Sequence, residues 1–308
     1  MHDTIFYYIL NMSIIASLMG IVIMLLRKLT FIPRIGIYCL WIPVLLRLLI
    51  PFGVSSRISL MNLTGSLVKK VVEFQWVAGD SVKLSMSNVI GAAAAYNPVV
   101  FKTQQLKAVF GISAVVWLAG AAGFIAGVLI LYCLSGRELR KAAHIREDIY
   151  SGEGPEAPMV YGFFRQRIIL PRPYLEAGGL KYIILHERAH MARHDNLLRL
   201  AAVLTACIHW FNPFIWVFLK AFMDDMELTC DNRAVRGLSQ EQRKQYASTL
   251  LSAGAGRKPL IPAAFGNNGV RARVVNVMTY RSLSILAFAI TLVFVAAATA
   301  ILITNPVK

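Results

Sequence analysis

The chain is 308 residues long, 57% hydrophobic and only 16% charged, with a formal net charge of +16. Apolar residues gathered in long blocks at so low a charge density exclude an ordinary water-soluble domain and place the chain in the membrane class. The positive charge does not indicate direct nucleic-acid binding, because the basic residues flank apolar blocks and no compact basic domain or groove-reading motif accompanies them.

In chain order, residues 4–26 form the first uncharged block, longer than the roughly 20 residues that cross a bilayer core. No basic n-region or small-residue cleavage site precedes it, so it is expected to stay as a span. Residues 35–54 are apolar apart from Arg47 and contain Pro43 and Pro51; they are expected to form a second span, with Arg47 snorkelling or facing the bundle. A loop over 55–108 follows, to which no fold is assigned; Gly91 and Asn97-Pro98 imply turns, and its Ser66-Leu67-Val68-Lys69 is an SxxK match without partner motifs. A third span is expected over about 109–134. There Gly123 and Gly127, with Ala119 one turn earlier, make a small-residue surface that would allow a homo-oligomer. The last uncharged block gives a fourth span within 282–308. Arg27, Lys28 and Arg34, and the basic stretch opening with Arg137, Arg140 and Lys141, set the expected orientation: both are cytoplasmic and both termini are outside. The four cysteines, Cys39, Cys133, Cys207 and Cys230, form no CxxC pair and are read as small core residues, none a metal ligand.

Between the third and fourth spans, residues 135–281 form the expected cytoplasmic domain. Its glycine- and proline-punctuated segment Val160–Leu170 reads as a short hairpin or edge strand, either pairing with an extended substrate or bracing the helix that follows. That helix carries His186-Glu187-Arg188-Ala189-His190. At a spacing of four, His186 and His190 share one helix face and can grip one Zn²⁺, with Glu187 as the base beside them. A catalytic zinc needs a third protein ligand and one open position, because the ion must activate a water and polarise a carbonyl.

The third ligand is sought in Glu227-Leu228-Thr229-Cys230-Asp231-Asn232-Arg233-Ala234, where Glu227, Asp231 and Ala234 share a helix face. Glu227 would bind the ion, Asp231 would accept the second N–H of a ligand histidine, and Ala234 would keep the approach close. One obstacle stands between the two motifs: residues 200–219 are uncharged and long enough to be called a span. A crossing there would put Glu227 some 30 Å from the histidines, when zinc ligands lie about 2 Å from one metal. His209-Trp210-Phe211-Asn212-Pro213 resolves this, because Asn212 is a good N-cap and Pro213 suits the first helical position. The block is therefore expected to split into two helices that double back, the second running from Pro213 to near Gly237, with His209 a satisfied core residue.

HExxH followed by ExxxDxxA, with Pro158-Met159-Val160-Tyr161-Gly162, Ile168-Ile169-Leu170-Pro171 and the His209–Pro213 segment, resembles the membrane zinc metallopeptidases of the BlaR/MecR β-lactam sensor-transducer family, across most of the chain. The resemblance implies peptide hydrolysis in signal transduction, by self-cleavage and by cleavage of a transcriptional repressor. It places a self-cleavage region before the last span, where Ala264–Gly269 is the flexible candidate, and it implies a C-terminal penicillin-binding sensor beyond the residues given, so that either the chain is shortened at that boundary or its signal is expected from another protein or from the 55–108 loop. The expected protein is an α-helical polytopic plasma-membrane protein with four transmembrane helices and a cytoplasmic, mainly α zinc metallopeptidase domain carrying a short β element. Its partners would be the bilayer and a peptide or protein substrate. Asp195 is a candidate to orient a ligand or Arg193, and His194 to stabilise an oxyanion. The basic residues of 238–281, Arg273 among them, are read as a solvated or lipid-facing connector. The rival readings are an intramembrane protease, a housekeeping membrane protease and a receptor whose zinc fold only transmits a shape change.

Overall fold

The computed structural model describes residues 2–29, 32–50, 56–59, 71–76, 82–87, 104–152, 157–176, 178–254, 268–282 and 284–304. The Ser66–Lys69 match and most of the Ala264–Gly269 candidate cut lie outside them. The chain divides into two units, one of residues 1–125, 204–219 and 285–308, the other of 126–203 and 220–284.

The first unit is built from apolar helices: α1 (His2–Leu26), α2 (Arg34–Leu49), the first part of α3 (Gln104–Leu139) and, at the end of the chain, α9 (Ile285–Ile303). Stretches of α1, α3 and α9, namely Ile5–Leu26, Ala108–Arg137 and Ile285–Ile303, are long and apolar enough to cross a membrane. The second expected span, residues 35–54, is different. It begins behind Pro33 and gives a helix of 16 residues, about 24 Å at 1.5 Å per residue and so short of the roughly 30 Å core. α2 packs against α1 and α9, and its Arg47 is buried, facing the bundle and not snorkelling. Strand β1 (Val71–Trp76) pairs antiparallel with β2 (Val82–Ser87), within the loop to which the sequence assigns no fold.

The same unit holds the break in the 200–219 block. α5 (Asp195–Ile208) ends there and α6 (Pro213–Ala234) begins, as the Asn-Pro pair implied. Asn212 Oδ1 accepts the Phe214 N–H at 3.0 Å, and its Nδ2 donates to Ser13 Oγ and Ser17 Oγ at 2.7 and 2.8 Å. A helix end in apolar surroundings exposes carbonyls that need donors. Indoles supply them: Trp117 Nε1 donates to the Ile208 carbonyl at 2.8 Å and Trp216 Nε1 to that of Trp210 at 3.1 Å. His209 is buried and donates from Nε2 to the Leu48 carbonyl at 2.9 Å, while its Nδ1 has no hydrogen-bond partner among the described residues, so it is a core residue satisfied at one nitrogen only. Gly120 lets the Trp210 ring approach to within 2.4 Å of where a Cβ would stand, whereas the positions beside Gly123 and Gly127 are open.

The second unit places a four-stranded sheet against helices. Strands β3 (Ala143–Arg146), β4 (Ile149–Gly152), β5 (Met159–Tyr161) and β6 (Arg167–Pro171) lie in the order β3-β4-β6-β5, with β4 and β6 parallel and the outer pairs antiparallel. Gly162, at φ +96°, makes the turn out of β5. Helix α4 (Leu180–Met191) lies between two apolar cores. Ile183 packs with Ile149, Ile168 and Leu170 of the sheet. Tyr182 and Ala189 pack with Cys230, Ala234 and Val235, with Tyr246 and Ala247 of α7 (Gln240–Gly254), and with Val277 of α8 (Asn268–Met278). α7 opens on a reciprocal cap in which the Ser239 N–H donates to Gln242 Oε1 and the Gln242 N–H to Ser239 Oγ.

Candidate metal centre

α4 is one turn of imidazoles held between two cores, and its buried residues include His186, Glu187 and His190. The four-residue spacing stacks the rings edge to face, 4.7 Å between centroids, with the two Nε2 atoms 3.1 Å apart. Each ring is held by its other nitrogen. His190 Nδ1 lies 2.7 Å from Asp195 Oδ2, because α4 stops at Met191 and His194 turns the chain sharply (φ 53°) into α5, whose first residue is Asp195. His186 Nδ1 lies 2.9 Å from the Tyr246 hydroxyl and 3.2 Å from Asp231 Oδ1, and Tyr246 donates to the same Asp231 oxygen at 2.7 Å.

Glu227 arrives on the returning helix α6. Its Oε2 is 3.5 Å from His186 Nε2 and its Oε1 is 3.6 Å from His190 Nε2. The three donor groups are thus spaced at 3.1, 3.5 and 3.6 Å, close to the edge of about 3.3 Å between ligands of a tetrahedral ion bound at 2.0–2.1 Å. Glu227 Oε2 is shielded from solvent and makes no hydrogen bond among the described residues, although Arg273 Nη1 stands at ion-pair distance, 3.1 Å. Two nitrogen donors and an orphaned carboxylate oxygen around one gap make a donor set that fits a divalent ion. Cys230 is also close, with Sγ within 4.8 Å of the imidazole donors. Its thiol donates to the His186 carbonyl at 3.4 Å and lies 3.8 Å from Nδ1, the nitrogen turned away from the gap.

Charge in the cluster is tightly coupled. The Nε2 atoms are too close to carry a proton each, so the imidazole pair titrates as a unit. Burial favours neutral rings, yet Glu227 and Asp195 push His190 up to about 12. Burial likewise opposes ionised carboxyls, yet Arg273 and His190 hold Glu227 well below the usual carboxylate range, and Arg273 keeps Asp231 low.

Glu187 lines a cleft together with Pro158, Tyr182, His186, Tyr246 and Arg273, and among the described residues it has no hydrogen-bond or ion-pair partner. Asp195 faces both groups named for it, since its Oδ1 also lies at ion-pair distance, 3.1 Å, from Arg193 Nε, though without hydrogen-bond geometry. His194 is exposed, at the turn. β5 is tied to this end of α5, because Asn196 Nδ2 donates to the Val160 and Gly162 carbonyls at 2.8 and 3.1 Å, which favours the bracing role for this strand. Two residues escaped the sequence reading. Tyr246 gave no local signal. Arg273 was assigned to the solvated connector, yet its side chain is 11% exposed and points into the site; the clue is that Val270, Arg273 and Val277 fall on one face of α8, with Val277 in the core.

Parts of the chain are similar to known proteins. A 98-residue stretch is 31% identical to the regulatory protein BlaR1 of Bacillus licheniformis, covering 31% of this chain and 16% of that protein. A 97-residue stretch is 31% identical to the methicillin resistance mecR1 protein of Staphylococcus aureus, covering 30% and 17%. A 106-residue stretch is 26% identical to BlaR1 of Staphylococcus aureus, covering 33% and 18%. The matched stretches span less than a fifth of each relative. The family match runs much further: residues 7–277, nearly the whole of a chain with three membrane-length helices and a histidine pair facing a carboxylate, correspond to BlaR1 peptidase M56, and the chain belongs to that family of membrane metallopeptidases.

Proposed function

We propose that the chain is a zinc endopeptidase that cuts peptide bonds at the cytoplasmic face of the plasma membrane, with His186, His190 and Glu227 as the metal ligands and Glu187 as general base and acid. The observation that carries this is the 3.1–3.6 Å triangle of donor atoms whose histidine members are each held from behind by a carboxylate. That arrangement turns the Nε2 lone pair of each ring toward the gap faced by Glu227. Glu227 is preferred to Cys230 because its oxygens face both Nε2 atoms, whereas the thiol faces Nδ1 and is engaged by a backbone carbonyl.

The chemistry that Zn²⁺ supplies when bound is Lewis acidity, which acidifies a water and polarises a carbonyl. The protein residues do the rest. Asp195 accepts the His190 Nδ1 proton and Asp231, with Tyr246, holds His186, so both rings keep the tautomer that binds metal through Nε2. Glu187, unpaired in the cleft, takes a proton from the water and returns it to the leaving amide nitrogen.

The relatives' names, regulatory protein and methicillin resistance protein, support a role in signalling in an antibiotic or cell-envelope response. In this reading the chain is a multi-pass membrane protein that cleaves itself, within or near Ala264–Gly269, and cleaves a transcriptional repressor. An interfacial site is preferred to an intramembrane one because Arg188, on the outer face of the histidine helix, is half exposed and pairs with Glu147 and Asp148 at 2.7 and 3.4 Å, a charged surface suited to water. The test is the full chain in vesicles, loaded with zinc and analysed by mass spectrometry for fragments. The wild type is expected to cut itself, and Glu187→Gln is expected to retain metal and lose at least about a hundredfold in rate. Equal cutting by Glu187→Gln would remove the base from the scheme, and a wild type that stays whole on a peptide panel would remove the peptidase reading.

A further inference from the structure

The metal centre contains a cation of its own, brought from 87 residues away along the chain. Arg273 rises from α8, which follows residues 255–267 and is joined to α9 by residues 279–284. Its Nε and Nη2 take the two oxygens of Asp231 at 2.8 and 2.7 Å, the parallel fork specific to a guanidinium. Nη1 stands 3.1 Å from Glu227 Oε2, and Nη2 also lies 3.2 Å from His186 Nε2. Asp231 is wholly buried and sits one turn from Glu227 on the same helix. Without a counter-charge, two such carboxylates repel, and the one free to turn swings away from its partner.

Two roles fit a guanidinium in this position, and they have opposite signs. As a competitor it would occupy Glu227 and His186 in place of the ion, and its removal would tighten metal binding. As a support it would lock Asp231, and its removal would loosen binding. The two short, parallel bonds are to Asp231, which is not a donor to the gap, at 2.8 and 2.7 Å; of the contacts toward the gap, that to Glu227 lacks hydrogen-bond geometry and that to His186 Nε2 is a single longer one at 3.2 Å. We infer that Arg273 is a positioning residue of the metal centre: by gripping both oxygens of Asp231 it fixes that carboxylate against Tyr246 and His186 and so aims His186 Nε2 at the point faced by His190 and Glu227. The inference rests on the metal-centre reading above. It also makes the aim of His186 depend on α8, the helix immediately before the last apolar one.

The experiment uses the full chain in detergent, stripped of metal. Zn²⁺ is titrated against a chromophoric chelator, and the visible bands of bound Co²⁺ report ligand geometry. Arg273→Met and Arg273→Lys are each expected to weaken Zn²⁺ binding about 10–100-fold and to alter the Co²⁺ bands while helical circular dichroism is retained; lysine fails to restore the site because it keeps the charge without the fork. Tyr246→Phe is expected to produce a smaller loss of the same kind. Unchanged or tighter binding in a folded Arg273→Met protein, or full restoration by lysine, overturns the inference; should Arg273→Met not fold, Arg273→Lys and Tyr246→Phe decide it alone. Glu227→Ala separates the two layers. If it loses the ion while Arg273→Met keeps it, only the positioning role fails; if Glu227→Ala binds like the wild type, the metal-centre reading fails as well.

Discussion

Asp195→Asn changes one atom's chemistry at a site where the sign of a hydrogen bond matters. The carboxylate has two neighbours: Oδ2 faces His190 Nδ1 at 2.7 Å in a hydrogen bond, and Oδ1 stands in an ion pair with Arg193, 3.1 Å from Nε without hydrogen-bond geometry. An asparagine can offer only one acceptor. Arg193 is always a donor, so the amide oxygen is drawn to it and the NH₂ is turned toward His190. The ring must then accept at Nδ1 and carry its proton on Nε2, the atom 3.1 Å from its partner ring and 3.6 Å from Glu227, where an ion needs a lone pair. Altering a group behind a metal-bound histidine lowers affinity about 10–100-fold, equivalent to about 1.4–2.7 kcal/mol. Asp195→Ala loses the acceptor but leaves the ring free to choose its tautomer. Its zinc affinity is therefore expected to fall less than that of Asp195→Asn, although alanine removes more atoms. Chelator competition on the purified variants measures both, and an alanine variant weaker than the asparagine one, or an asparagine variant equal to the wild type, would refute the tautomer argument.

Two other outcomes are expected. In the first unit, Gly120→Ala places a methyl within 2.4 Å of the Trp210 ring and should destabilise by about 1–3 kcal/mol, whereas Gly123→Ala, with open space beside it, should leave the melting temperature unchanged within about 1 °C; equal effects would contradict the packing at the α5–α6 turn. The second concerns pH. His190 is raised from an ordinary imidazole value to about 12 in the metal-free protein, so its contribution to stability is complete below about 6.5 and is lost as pH rises toward 12. The metal-free protein should melt at lower temperature at pH 9.5 than at pH 6.5, while zinc affinity rises over the same range because the ion displaces a held proton. Calorimetry in buffers of different ionisation enthalpy should show proton release on zinc binding, and none would count against the coupled imidazole pair.

The part of the site that was legible in the sequence is the part written in local spacing. His186 and His190 are four apart, as are Glu227 and Asp231, and helical geometry alone puts each pair on one face. The break at Asn212-Pro213 was also readable, because a cap residue followed by proline has a local mechanism, and it forbade the crossing that hydropathy would have suggested. Tyr246 and Arg273 were not readable. Each joins His186 across 60 or more residues, and neither residue type marks a metal site by itself. Arg273 was misassigned because basic residues near apolar blocks are usually solvated, a rule that fails when the arginine shares a helix face with Val277. The sheet order escaped for a similar reason: β4 pairs in parallel with β6, skipping β5, and strands of three to five residues carry too little periodicity to declare it. The 35–54 block is less decided, since composition suggests a span where the helix has 16 residues.

The identity of the third ligand is tested most directly by metal content. Full-length wild type, Glu227→Ala and Cys230→Ser, purified alike, dialysed against trace zinc and analysed by inductively coupled plasma mass spectrometry, are expected to hold about one, well under 0.1 and about one zinc per chain respectively. A Glu227→Ala protein that keeps its zinc, or a Cys230→Ser protein that loses it, would contradict the proposed coordination.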